Sequence, residues 1–186
     1  MEKNSLKSGI ISNFKKAMLI GLLCSVFLIG NLGHAQSKSK EALGNTLVES
    51  IVNNDGIRFK STLLPKAEAL KLHEANNLQD IDSKDKDSLM AQYETVYDQK
   101  TIPRFEKNLQ EMVHLSETNN IDWSKVAFMI LYKYASNDDA YLPFLIHTEL
   151  KNSAYKHFYF EAVRYKGVWY LEGKMELTKG EKYAPK

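Results

Sequence analysis

From Ser124 onward the apolar residues stop recurring at every third or fourth position and begin to alternate. A side-chain period near 3.6 belongs to a helix and a period of 2 to a strand, so the chain divides into a helical part followed by a strand part. In the helical part, Leu43, Leu47, Val48, Ile51 and Val52 share helical spacing until Asn54-Asp55-Gly56 stops the pattern. A connector follows. Pro65 then opens a second, shorter helix carrying Ala67, Ala69, Leu70 and Leu72, since proline is tolerated where the first turn needs no N–H. Asp82 or Ser83 caps a third helix, with Asp85 and Asp87 in its first turn and Leu89, Met90, Tyr93, Val96 and Tyr97 as its stripe. Thr101-Ile102-Pro103 either kinks this helix or starts another with Thr101 as cap. Phe105, Leu109, Met112 and Val113 continue the period until Asn119-Asn120.

The strand part predicts four strands, near 125–134, 141–151, 155–165 and 168–177, with Asn137-Asp138-Asp139 turning between the first two. Lys166-Gly167 makes a two-residue hairpin turn that pairs Tyr165 with Val168. Continued in step, that pairing gives a core face of Phe158, Phe160 and Ala162 beside Trp169, Leu171, Gly173, Met175 and Leu177. An odd-length loop over 152–154 puts Leu142, Phe144, Ile146, Thr148 and Leu150 on the same face. An even loop would exchange the faces, so burial selects the odd one. The first strand, VAFMILY, is apolar on both sides and reads as covered twice. Helices first and an antiparallel sheet after is α+β segregation: N-terminal helices packed on a C-terminal curved sheet of about four strands.

The first 35 residues read differently. Lys3, Lys7, Lys15 and Lys16 form a basic leader, 17–32 is uncharged and apolar, and Gly33-His34-Ala35 presents small residues where a signal peptidase cuts. Cleavage between Ala35 and Gln36 is expected, giving an exported, periplasmic or secreted protein. An uncleaved N-terminal anchor is the alternative. The sole cysteine, Cys24, sits mid-way through the apolar run behind Leu22-Leu23, which suits a small hydrophobe better than a lipidation site. Residues 36–186 then form one cysteine-free domain, without disulfides, thiolate metal sites or thiol nucleophiles, and with no further run long enough to span a membrane. Gln36 to Lys40 is a polar leader expected to be mobile. The four lysines and Glu2 account for the basic balance, since without them 21 basic residues face 22 acidic ones. The three arginines, Arg58, Arg104 and Arg164, are scattered, and no clustered basic face suggests nucleic acid.

The hairpin from Phe158 to Leu171, an aromatic-rich strand turning at Lys-Gly into a Trp strand, and Ile121-Asp122-Trp123-Ser124 before the first strand resemble the NTF2-like (SnoaL-like, cystatin-like) α+β group. Small exported proteins of Bacteroidota have a similar layout. The resemblance implies a cone-shaped fold with a pocket between helices and sheet. It implies no one activity, because that fold carries isomerases, dehydratases, binding modules and assembly domains.

The unbroken register sets three rows on the mixed face: Glu149, His157 and Glu176; His147, Tyr159 and Lys174; and Glu161 opposite Glu172. A histidine between carboxylates would have a raised pKa and could move a proton. Two opposed glutamates could hold a hard cation or share a proton. Those six residues, His147, Glu149, His157, Tyr159, Glu161 and Glu172, are the candidate ligand-binding set. The same alternation is also what a solvated sheet face shows.

Asp80 to Asp87 does not make a calcium loop. Lys84 sits at a ligand position, Asp85 replaces the turn glycine, and Ala91 replaces the closing glutamate. His73 and His114 are single helical histidines without partners at metal spacing. No fingerprint for a catalytic triad, a zinc protease, a phosphate loop or a dinucleotide occurs, and no cofactor or catalytic residue is indicated. The tyrosines of the sheet suit cross-strand pairing or an interface. Two functions follow: a non-enzymatic binding or interaction module that could dimerise through the sheet, or, as the alternative, a small-molecule-binding protein or enzyme with a pocket between helices and sheet.

Overall fold

The computed structural model of the protein describes residues 37–79, 81–136, 141–151 and 153–183. The segment read as an export signal, with Cys24 and the Ala35–Gln36 junction, and the Asn137-Asp138-Asp139 stretch read as a turn, lie outside them. Among the described residues, five α-helices precede four strands: α1 Lys40–Val52, α2 Gly56–Lys60, α3 Lys66–Asn77, α4 Ser83–Val96 and α5 Ile102–Thr118, then β1 Met129–Lys133, β2 Tyr141–Glu149, β3 His157–Tyr165 and β4 Val168–Thr178. The strands form one curved, unclosed antiparallel sheet in the order β1-β2-β3-β4. The class is α+β, as the change of period implies.

The core lies between α1, α5 and one face of the sheet. Leu43, Leu47 and Ile51 of α1 and Leu109 and Met112 of α5 are at most 1 % exposed against Phe158, Phe160 and Ala162, which are wholly buried. Val52 stands one residue beyond the stripe, a turn of about 100° from Ile51, and faces water. Gly44 is where the ring of Phe128 crosses α1: a methyl group there would come within 2.4 Å of the ring. Gly44→Ala is therefore expected to destabilise the protein by about 1–3 kcal/mol through overpacking, against a gain in helix propensity of about 1 kcal/mol. Urea unfolding of the variant would measure the balance.

The connector after α1 is the short helix α2, capped by Asp55, whose carboxylate accepts from the Arg58 N–H at 2.9 Å. Thr101 does not cap a new helix. Instead, α4 runs into α5 through a π turn at Tyr97–Thr101, where the Ile102 N–H donates to the Tyr97 carbonyl five residues back. Pro103, without an N–H, follows at once.

β1 is shorter and barer than its sequence suggests. The Ser124 N–H donates to the Asp122 carboxylate, and Lys125 takes a positive φ of 75°, which keeps 125–128 out of the sheet. Pro143 on β2 cannot donate to the ladder, and β1 ends beside it. As an edge strand covered on neither side, β1 leaves Met129 and Ile130 exposed. The opposite edge, β4, is closed instead. The Trp169 N–H donates to the Ser37 carbonyl, the Leu171 N–H to the Thr62 carbonyl, and the Met175 N–H to the Asn108 side chain. Ser37, part of the leader expected to be mobile, is thus buried against β4.

The β2–β3 register is the one burial selects, with Glu149 opposite His157 and Phe144 opposite Ala162. Lys166 and Gly167 both have positive φ and pair Tyr165 with Val168. Beyond Ala162–Leu171 the register slips: Phe160 meets Met175, so Glu172, Gly173 and Lys174 bulge opposite Glu161 alone. The slip is two residues, which preserves the faces and changes every row after it.

Candidate functional site

The bulge rearranges the expected rows. His157 lies between Glu149 and Thr178 rather than between two carboxylates, and Tyr159 faces Glu176 rather than Lys174. Glu161 and Glu172 are no longer directly opposed. The Glu161 carboxylate instead occupies the space a side chain at Gly173 would need, within 1.7 Å of that position.

The second face of the sheet is not a solvated surface. Leu145, His147, Tyr159, Val163, Tyr165 and Tyr170 are all at most 7 % exposed. The tail covers one end: Tyr183 packs edge-on against Tyr159 at 4.9 Å, and Lys182 pairs with Glu176 at 2.7 Å. Under it His147 stacks on Tyr159, and its Nε2 lies 2.9 Å from Nδ1 of His157. Burial first, and His157 second, hold the His147 pKa below its ordinary value of 6.5.

Helix α3 covers the other end. Leu72 packs with Leu64 and Tyr141 on Val163, Tyr165 and Tyr170. Glu68 of α3 ties the helix to the β3–β4 turn: Lys166 donates to it at 2.9 Å, Lys71 at 2.9 Å and the Tyr165 hydroxyl at 3.1 Å. These bonds, that of Lys166 foremost, lower the Glu68 pKa from 4.5 to about 2. A lowered folded-state pKa gives stability that is present above the ordinary value and is lost as pH falls toward about 2. Acidification through that window is expected to loosen α3 from the hairpin, seen as faster amide exchange in α3, while Glu68→Gln should abolish the pH dependence. Tyr165 and Tyr170 are thus engaged within the chain, and a dimer built on them would have to displace α3.

Between α3, α4, the π turn and the sheet lies a cavity of about 290 Å³. Val163, Leu171 and Tyr141 form its floor, Leu72 and His73 one wall, and Tyr93, Tyr97 and Phe105 the other. Glu172, delivered by the bulge, is at its rim. Tyr97 is held by its hydroxyl, which donates to the Leu64 carbonyl at 2.8 Å. His73 and Tyr93 stack with ring centroids 3.7 Å apart and planes 5° from parallel. The Asn77 amide nitrogen donates to the His73 carbonyl at 3.1 Å and lies 3.2 Å from the ring Nδ1. Burial alone raises the Glu172 pKa above 4.5. Among the described residues, its side chain has neither an ion pair nor a hydrogen bond.

The two helices that roof the cavity bury little. No described residue of α4 is buried, and α3 buries only Ala69. They are joined by the ring stack and by ion pairs: Lys66 to Glu94 at 2.7 Å and to Asp98 at 2.6 Å, and Lys86 to Glu74 at 2.6 Å.

Of the six candidate residues, Glu172 alone lines this cavity. Glu161 joins Glu172 along a neighbouring mixed-charge groove against Arg104 and Lys107 of α5, and the other four lie at the far end of the face. Sequence reading missed His73 and Tyr93 as site residues, because their contact joins two helices and leaves no local spacing to find. Among the described residues no helix is long and apolar enough to cross a membrane. No family model, curated protein or solved structure matches this chain.

Proposed function

We propose that the protein is an exported small-molecule-binding protein whose ligand enters the cavity between the α3–α4 hairpin and the sheet. The observation that carries this is a concave site with an apolar floor, aromatic walls and one desolvated ionisable group, the usual composition of a small-molecule pocket. The reading favours binding over catalysis, since a lone carboxylate with a histidine held in a ring stack offers no nucleophile and base pair. Export rests on the basic and apolar leader ahead of Gln36. Helices followed by an antiparallel meander, with a pocket between them, also support the NTF2-like assignment as a fold family.

The test is fragment mapping by protein NMR. Soluble aromatic fragments are expected to move the resonances of Leu72, Tyr93, Tyr141 and Val163 together. Shifts confined to β1 and its exposed Met129 and Ile130 would point instead to an interaction module and set the pocket aside.

A further inference from the structure

The chemistry of the cavity wall selects among small molecules, and this inference rests on the pocket reading above. Among the described residues lining the cavity, Glu172 is the one carboxylate, and no lysine or arginine stands with it. No lysine or arginine among the described residues pairs with it. A carboxylate taken out of water without a counter-ion is unfavourable, and a bound cation would relieve it. The aromatic rings of Tyr93, Tyr97, Tyr141 and Phe105 line the same cavity. Ring faces attract cations and repel anions, so carboxylate and rings favour the same sign of ligand charge. Val163 and Leu171 of the floor and Leu72 of the wall offer the ligand only apolar contact. The volume, about 290 Å³, is at the small end for ligand sites and suits a ring with a short chain.

We propose that the cavity binds a small organic cation, a primary or quaternary ammonium bearing an apolar group, with its charge against Glu172 and its hydrocarbon between the tyrosine rings and the floor. Anionic ligands are excluded by the same two features. The bulge is the device that makes the site. Two extra residues in β4 turn Glu172 to the cavity rim, where an unbroken ladder would have set it across from Glu161.

The experiment compares three probes of one shape by isothermal titration: benzylammonium, benzyl alcohol and benzoate. Benzylammonium is expected to bind at least about tenfold more tightly than the alcohol, and benzoate more weakly than either. Glu172→Gln should erase the ammonium preference and leave affinity for the alcohol unchanged. Tyr93→Leu, at a half-exposed position, should weaken ammonium more than alcohol, and it serves as a second variant should Glu172→Gln fold poorly. Equal binding of ammonium and alcohol, or a preference that survives Glu172→Gln, would overturn the cation assignment and leave the pocket standing. Absence of binding by all three probes, with no resonance of Tyr93 or Val163 moving, would overturn both.

Discussion

Asn108→Ala is expected to destabilise the protein by about 2–6 kcal/mol, the sum of two backbone groups left without partners in a dry site at about 1–3 kcal/mol each. Asn108 sits on the buried face of α5, and its amide completes the edge of β4. Nδ2 donates to the Met175 carbonyl at 3.0 Å, and Oδ1 accepts from the Met175 N–H at 2.8 Å. Among the described residues β4 is the edge of the sheet, so these two groups have no ladder partner there. Met175 is wholly buried, and water does not replace the amide. Asn108→Asp tests the two bonds separately. It keeps an acceptor for the N–H but sets a carboxylate against the carbonyl, and should cost at least as much as alanine. Urea unfolding with an unchanged denaturant slope would measure both variants. A loss below about 0.5 kcal/mol, typical of a surface substitution, would show that the edge does not depend on Asn108.

Glu172→Gln is expected to do two opposed things: raise the melting temperature near neutral pH and abolish the preference for a cationic ligand. Burial raises the Glu172 pKa, so the folded protein holds that proton more tightly than the unfolded chain does. Stability then falls as pH rises from the ordinary value of 4.5 through the raised one, and the penalty is complete above it. Glutamine removes the penalty, so the gain should be present near neutrality and vanish below the ordinary carboxylate range. The groups around Glu172 are Arg104, Lys107 and Glu111 of α5, Glu161 of β3, Lys174 of β4, His73 of α3 and Tyr93 of α4. All are common to both proteins, as is the Glu68 clamp that releases at lower pH, so the difference between the two melting curves isolates Glu172. A variant less stable than the parent near neutrality would mean that Glu172 has a stabilising partner, and the pocket would lose its unpaired charge.

The sequence carried the layers of this fold but not how they close. The alternation after Ser124 and the burial of Phe144 and Ile146 were enough to fix the β2–β3 pairing, because a one-residue slip would have exposed them. The β4 bulge left no such mark. A two-residue slip keeps Met175 and Leu177 on the core face, so the pattern of apolar residues reads the same with or without it. Gly173 was the one hint, a glycine in a strand where the Glu161 carboxylate comes close. The covering of the second face was equally hidden. Helix α3 shows only a modest apolar stripe, and nothing local to Leu72 says that it docks on Tyr165 and Tyr170. The site depends on both events. Glu172 could be named from sequence, yet its companions His73 and Tyr93 could not, since only the long-range docking of α3 and α4 brings them to it.

Native mass spectrometry of the protein recovered from the cells that make it tests the central claim most directly. The account predicts a small cationic molecule on the monomer, carried by the parent protein and missing from Glu172→Gln. A ligand-free mass for both proteins, with a second polypeptide bound in place of a small molecule, would contradict it.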